Sequence, residues 1–167
     1  MANNIPLSTI RVKISYCVET TAGTRPTQGY TIIPGIYSTP DFNVAPSTAD
    51  VTSFDNKEYT SKISLLKEIP DNIEFGVRLG QEFVTQWETL VAAYKAGIKA
   101  DPAAKETWFC INIPGLDKSI YFTGRPIALG LPAMEANSSI DSTAYVAPTS
   151  EPVFENDPTD QTDDDEG

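Results

Sequence analysis

The sequence contains no histidine and has little positive charge. Histidine is the side chain most often used as a general base and as an imidazole metal ligand, so its absence argues against most hydrolases and metalloenzymes. Twelve Lys and Arg residues stand against 23 Asp and Glu, which gives a net charge of −11 and a pI near 4.3. Such a protein is poorly suited to bind nucleic acid or an anionic membrane.

Cysteine is scarce, and long apolar runs are missing. Cys17 and Cys110 each fall in a predicted strand, and we expect buried free thiols rather than a disulfide. No window reaches the roughly 18 apolar residues of a membrane span. The first residues show neither the basic nor the apolar region of a signal peptide. We therefore expect a protein made in a reducing cytosol.

The residues that are present suffice for one folded domain. Of 167 residues, 40% are hydrophobic. Residues 1–150 contain all 12 basic and 15 of the acidic residues, a net charge of −3, whereas residues 151–167 contain eight acidic and no basic residues. We predict an N-terminal arm over residues 1–9, a folded domain over 10–148 and a solvated acidic tail over 149–167.

The acidic tail has two interpretations. It is a segment that keeps the protein soluble, or Val153 and Phe154 fix its start to a neighbouring molecule while its Asp run lines a surface that repels DNA. No loop has the ligand spacing of an EF-hand, so no metal is assigned.

Alternating apolar and polar residues predict a sheet. The predicted strands are residues 10–18, 30–33, 58–66, 72–79, 107–113, 118–123, 125–130 and 138–146. One amphipathic helix is predicted over residues 82–96, ending near Gly97. Its apolar residues, at three- and four-residue steps, are expected to pack the helix on the core or to form a subunit interface: Phe83, Trp87, Leu90, Val91 and Tyr94.

A long polar segment over residues 37–57 interrupts this pattern. It contains Pro40 and Pro46 and has room for one short strand, around residues 49–54. Loops of this length in a compact domain are usually functional or disordered. The whole pattern predicts a mainly β fold, an antiparallel β-sandwich or barrel with one flanking α-helix, whose open sheet edges need a partner.

No group of residues suggests catalysis. There is no Gly-x-Ser-x-Gly elbow, phosphate-binding loop or dinucleotide fingerprint. Carboxylates such as Asp55, Glu58, Asp71 and Glu74 are explained by solvated strand faces rather than by a catalytic pair. We predict neither an enzyme nor a cofactor.

Several segments follow one another in an informative order. They are VETTAGTRP at 18–26, YTIIPGI at 30–36, PDFN at 40–43, VTSFD at 51–55, FVTQW at 83–87, TWFCINIPGL at 107–116, YFTG at 121–124 and LGL at 129–131. In this order they resemble the major tail tube protein of long, non-contractile tailed phages (siphovirus type) of Gram-positive bacteria. The resemblance spans residues 10–148 and excludes the acidic end.

The resemblance implies a structural virion protein. Six copies would form a ring with their sheets joined edge to edge, and stacked rings would form a hollow tail tube that conducts DNA into the host without binding it specifically. The protein would be assembled in the host cytoplasm and located in the virion tail. Its other implied partners are a tape measure protein, a tail terminator and distal tail proteins, with no membrane contact.

The same resemblance directs attention to particular residues. In this family the loop after the second strand reaches the adjacent ring, which here corresponds to residues 37–57. The apolar anchors of stacking would be Phe42, Val44, Val51 and Phe54. An acidic lumen would not trap DNA, and Glu74 is the candidate for a lumen-facing carboxylate, although the negative charge equally fits a role in keeping free subunits soluble.

Other classes of function stay open at this point. One is a monomeric β-sandwich binding module, for example for carbohydrate, and another is a minor decoration domain of the virion. Self-association into rings or tubes distinguishes the tube subunit from a monomeric module.

Overall fold

The computed structural model describes residues 11–43, 45–53, 62–65, 69–100 and 105–159, without the side chains of 98–100. Within these residues the chain forms ten strands and one helix. They are β1 (Lys13–Val18), β2 (Thr31–Ile32), β3 (Ile36–Ser38), β4 (Thr48–Asp50), β5 (Lys62–Ser64), β6 (Ile73–Arg78), α1 (Gln81–Ala100), β7 (Thr107–Asn112), β8 (Lys118–Pro126), β9 (Asp141–Pro148) and β10 (Val153–Asn156).

Eight of the strands belong to one antiparallel sheet. Its order is β2-β1-β7-β8-β9-β6-β3, and β10 pairs with the first half of β8. The remaining strands, β4 and β5, pair only with each other. The predicted class, a mainly β antiparallel sandwich or barrel with one helix, is confirmed.

The two end strands of the sheet are neighbours along the chain, so the sheet must curl. Only residues 33–35 separate β2 from β3. The backbone N–H of Ile33 donates to the carbonyl of Ile14 in β1, and the carbonyl of Gly35 accepts from Arg78 in β6, both at 2.8 Å. Because three residues span only about 10 Å, the two edges lie close together and the sheet forms a half-barrel.

The main core lies on the inner face of this curl, where α1 covers it. Phe83, Trp87 and Leu90 of α1 are at most 1% exposed and pack among inward-facing residues of β1, β6, β7, β8 and β9. The Trp87 indole N–H donates to the carbonyl of Ile127 at 2.9 Å, which fixes the helix to the chain after β8. Each large side chain buried in this way contributes about 1.5–3 kcal/mol.

The helix agrees with its predicted position but extends further. It begins one residue earlier, with Val84 N–H donating to the Gly80 carbonyl at 3.0 Å, and continues to Ala100. The prediction that Gly97 ends the helix is wrong. A glycine within a helix costs about 1 kcal/mol and does not break it, whereas the sequence reaches its first helix-breaking residue at Pro102.

Two strand predictions need correction. Residues 118–123 and 125–130 were predicted as separate strands, but β8 runs unbroken from Lys118 to Pro126. Gly124 does not end the strand; a Cβ there would lie 2.5 Å from Val146, so glycine allows β9 to approach closely. Strand β3 was not predicted, because it lies in the polar segment over residues 37–57 and just before it.

The expected tail also begins later than predicted. Residues 153–156, assigned to a solvated tail from residue 149, form β10 and pair with β8. The Tyr121 hydroxyl donates to the Asn156 carbonyl at 2.7 Å, and Ser119 Oγ donates to Asp157 Oδ1 at 2.5 Å. The N–H of Thr159 donates to the carbonyl of Thr27 at 3.0 Å. The arm over residues 1–9 lies outside the described residues.

This C-terminal segment covers a second cluster, on the outer face of the sheet. Tyr30, Cys110 and Tyr121 are buried there, and the Arg25 guanidinium lies 4.2 Å from the centre of the Tyr121 ring. Burial raises the pKa of the Cys110 thiol and of both phenols. The cluster is therefore neutral at physiological pH, and Cys110 is the buried free thiol that its strand position predicted.

Glu19 is a buried carboxylate that fixes the loop after β1. It is 3% exposed, and its Oε2 accepts from the backbone N–H groups of Gly23 and Glu106, both at 3.0 Å. Its Oε1 accepts from the Trp108 indole N–H at 2.8 Å. Three donors compensate the loss of hydration, so the carboxylate ties the loop to the start of β7.

Truncation separates the two parts of the acidic segment. We expect a chain ending at Pro152 to lose about 2–4 kcal/mol of stability, because it loses the β10 ladder and the contacts of Asp157. This corresponds to a Tm lower by roughly 5–15 °C. A chain ending at Thr159 keeps these contacts and should melt like the full chain. Equal melting of all three proteins by circular dichroism would show that β10 does not stabilise the fold.

The role of Glu19 is tested by Glu19→Gln. In the variant, one carboxylate oxygen is replaced by an N–H₂ group, which cannot accept hydrogen bonds from the N–H groups that contact Glu19. We therefore expect a loss of about 1–3 kcal/mol in the free energy of unfolding. Glu88→Gln, at an exposed carboxylate of α1, is the matched control. A urea titration in which both variants unfold at the same midpoint would contradict this role.

Candidate functional site

The β4–β5 hairpin forms a two-stranded sheet of its own, separate from the main sheet. Ala49 lies opposite Ile63 in the middle of its three-pair ladder, and the N–H of Leu65 donates to the Ser47 carbonyl at 2.7 Å, one step further. Ile63 and Leu65 are 50% and 46% exposed. No described residue of this hairpin is buried.

The two faces of the hairpin differ in polarity. Strand alternation places Ala49, Ile63 and Leu65 on one face, while the other face is polar, with Thr48, Asp50, Lys62 and Ser64. A two-stranded hairpin is marginally stable in water unless its apolar face is packed against something. Ala49 is half-buried, but Ile63 and Leu65 stay about half exposed, so this face is suited to contact another molecule.

The four predicted stacking anchors behave differently from one another. Phe42 is half-buried and packs on the core of its own chain, with its ring centre 5.0 Å from that of Phe122. Val51, just beyond β4, is 48% exposed. Val44 and Phe54 lie outside the described residues. Phe42 is thus packed against the core of its own chain, and its role as a stacking anchor stays a prediction.

Four of the five predicted helix residues take the first of the two roles that the sequence left open, which is packing on the core. Phe83, Trp87, Leu90 and Val91 belong to the core, so they pack the helix and do not form a surface for a second subunit. Tyr94 is half-buried, one turn beyond Leu90.

Glu74 is exposed on the outer face of β6, as its place in the alternation predicted. It lies opposite Tyr145 of β9. On the same face Arg78 and Asp141 form an exposed ion pair at 3.7 Å, which stabilises the fold little. This face of the sheet therefore carries charges of both signs.

Beside Glu74, a polar cleft of about 460 Å³ opens between β6 and the segment after β3. The Tyr37 ring covers its floor at Gly76, where an added Cβ would lie 2.9 Å from Tyr37 Cε2. Asp41 lines the cleft, but one of its oxygens accepts from the N–H of Asn43 at 2.7 Å. Across the described residues, no group of three His, Cys, Asp or Glu side chains could hold a metal ion.

The main sheet has strand edges that face no other described strand. Among the described strands, β2 and β3 have neighbours on one side only, and β10 pairs only with β8. Ile32 in β2 and Tyr37 in β3 are 46% and 57% exposed. Open edges of this kind are templates for pairing with another chain.

Sequence reasoning did not single out the residues that form the most distinctive surface. Ile63 and Leu65 fall in the predicted strand 58–66, where their alternation with Lys62 and Ser64 was a usable signal. Phe154, 60% exposed on β10, is one of the two residues that the second interpretation of the tail places against a neighbouring molecule.

Comparison with known proteins yields no relative from which to transfer a function. No protein-family model matches the chain, and no curated protein matches it. In the described part of the chain, no helix is both long and apolar enough to cross a membrane.

The two described anchors can be separated by mutation. Phe42→Ala should lower the free energy of unfolding by about 1–3 kcal/mol, because it removes a half-buried ring from the core. Val51→Ser should leave stability within about 0.5 kcal/mol, because Val51 is exposed. Thermal melts of both variants measure these changes. An unchanged Tm for Phe42→Ala would show that the Phe42 ring does not stabilise the core and is available for a stacking contact.

Proposed function

We propose that this protein is a structural subunit that assembles into stacked hexameric rings. These rings form the tail tube of a phage with a long, non-contractile tail. The observation that carries the proposal is the β4–β5 hairpin, where the apolar residues Val51, Ile63 and Leu65 are 46–50% exposed. A stable monomer gains nothing from such an arm, whereas a stacked assembly buries it in every copy but those at one end.

The curled sheet supports ring formation. Its edges leave backbone N–H and C=O groups without strand partners, and pairing with the next copy around a ring would satisfy them. A contact of this kind joins two different surfaces, so it closes on itself only under cyclic symmetry. The resemblance of the sequence to tail tube proteins supplies the number six.

The hairpin supports contact between rings. It lies within or directly after the polar segment over residues 37–57, which corresponds to the inter-ring loop of the resembled family. Ile63, Leu65 and Val51 supply the exposed apolar area that such a contact would bury. We therefore move the proposed stacking contact from Phe42 to these three residues.

The charge of the chain fits a conduit for DNA. A ring of six copies would carry six times −11, or −66. Carboxylates in the lumen repel phosphates, so DNA would pass without being held. Glu74, exposed on the outer face of the sheet, remains the candidate for a lumen-facing carboxylate. The tape measure, terminator and distal tail proteins are partners of the same proposal.

Electron microscopy of the purified full-length protein tests self-assembly. Rings or tubes with sixfold end views are the expected result. A particle that stays monomeric at all concentrations, ionic strengths and temperatures tried would overturn the proposal and favour a monomeric binding module.

The stacking contact is tested by the double variant Ile63→Ser and Leu65→Ser. Because both side chains are exposed, we expect its Tm to change by less than about 2 °C, while long tubes disappear and short species remain. Ser64→Ala, on the polar face of the same hairpin, should form tubes of normal length. Normal tubes from the double variant, measured by sedimentation and microscopy, would reject the hairpin as the stacking contact.

A further inference from the structure

Beside β10 the sheet has a strand position that no described strand fills. On the side of β8 that faces away from β7, two strands pair with β8 one after the other. Residues 124–126 pair with β9, and residues 118–121 pair with β10. Strand β6 continues the sheet beyond β9, but its pairing stops where Ile73 meets Val146. The second side of β10 therefore faces no strand among the described residues.

The side chains around this position are apolar and uncovered. Phe154 lies opposite Ile120, which packs against the main core, so both belong to the inner face of the sheet. Phe154 is 60% exposed and its neighbour Val153 is 41% exposed. A strand added beside β10 would cover Phe154 and extend the core by one strand.

Charge restricts what can fill the position. Glu155 lies in β10, and Glu151 and Asp157 flank it, so two β10 edges would repel each other if they paired. The occupant should be extended, partly apolar and free of negative charge. Residues 1–18 contain no acidic residue; they include Ile5 and Leu7, followed by the basic Arg11 and Lys13.

We propose that residues 1–10 of a second copy of this chain add as a strand to the open edge of β10. This inference rests on the proposed self-assembly and names one of its contacts. Backbone hydrogen bonds would provide affinity, Phe154 would select an apolar segment, and the carboxylates would exclude an acidic one. Ten residues exceed the four of β10, so the segment is long enough to pair along its full length.

The direction of the chain favours a second copy over the same copy. Strand β1 begins at Lys13, opposite Asn112, and the Asn112 side chain donates to Ser119 at 3.1 Å. This end of the sheet is also where β10 ends, because Asn156 pairs with Lys118. Residues 1–10 of the same chain would have to pass around the β7–β8 turn and pair parallel to β10. Those of a second copy can pair antiparallel, which is the more stable arrangement.

A cysteine scan of the full-length protein tests this pairing. Phe154→Cys is combined in turn with Asn4→Cys, Ile5→Cys, Leu7→Cys and Ser8→Cys, and each assembled protein is oxidised and run on a non-reducing gel. Because side chains alternate along a strand, we expect covalent ladders between chains from positions 5 and 7, severalfold stronger than from 4 and 8. When Val153→Cys replaces Phe154→Cys, positions 4 and 8 should give the stronger ladders, because Val153 lies on the opposite face of β10.

Two controls measure the crosslinking that does not depend on the proposed pairing. The parent protein reports crosslinking through Cys17 and Cys110, and Glu88→Cys on α1 replaces Phe154→Cys as a remote position. Glu151→Lys should lower the ladder about two- to fivefold at low salt, with partial recovery on adding Arg11→Glu, because antiparallel pairing of Ile5 or Leu7 with Phe154 places Arg11 near Glu151. Glu88→Lys should change nothing.

The outcomes separate this inference from the tube proposal. Alternating crosslinks between chains support it. Crosslinks confined to single chains, equal yields at all four positions, or no crosslinks in a preparation that forms tubes would overturn it while the tube proposal stands. Alternating ladders from a protein that forms no rings or tubes would support the pairing and overturn the tube proposal alone.

Discussion

The structure depends on the short connection that joins the two end strands of its sheet. Residues 33–35 bond to β1 on one side and to β6 on the other, and Gly35 makes the turn with φ 82°. A Cβ at this position would lie 3.0 Å from the Arg78 carbonyl oxygen and 3.4 Å from Phe83 Cβ. Glycine therefore satisfies the turn, the strand contact and the close approach of the helix at once.

Curling gives the sheet two faces with different covers. The inner face is filled by its own apolar residues and by Phe83, Trp87 and Leu90 of α1. The outer face around Tyr121 is covered by the loop before β2 and by the segment from β10 to Thr159. The start of a strongly acidic segment thus belongs to the fold, because backbone pairing and three or four side-chain contacts outweigh its preference for water.

The surfaces available to other molecules lie where neither cover reaches. The hairpin has an apolar face and no main-sheet strand beside it, and β10 has an open edge next to Phe154. These two features are at different places in the chain but share one property, which is strand structure left incomplete by a single copy. Self-assembly, as proposed, would complete both, and this is why we favour a tube subunit over a monomeric binding module.

The sequence by itself determined the mainly β class, the helix with its buried stripe and the exposure of Glu74, because side-chain periodicity is a local property. Local patterns misjudged two glycines: the helix tolerates Gly97 at a cost of about 1 kcal/mol, and the close approach of Val146 requires Gly124 within a continuous strand. Only the tertiary structure decided that Phe42 contacts Phe122, that Glu19 receives three hydrogen bonds and that residues 153–156 are a strand. Each of these depends on residues distant in sequence, and such contacts produce no periodic pattern in the sequence.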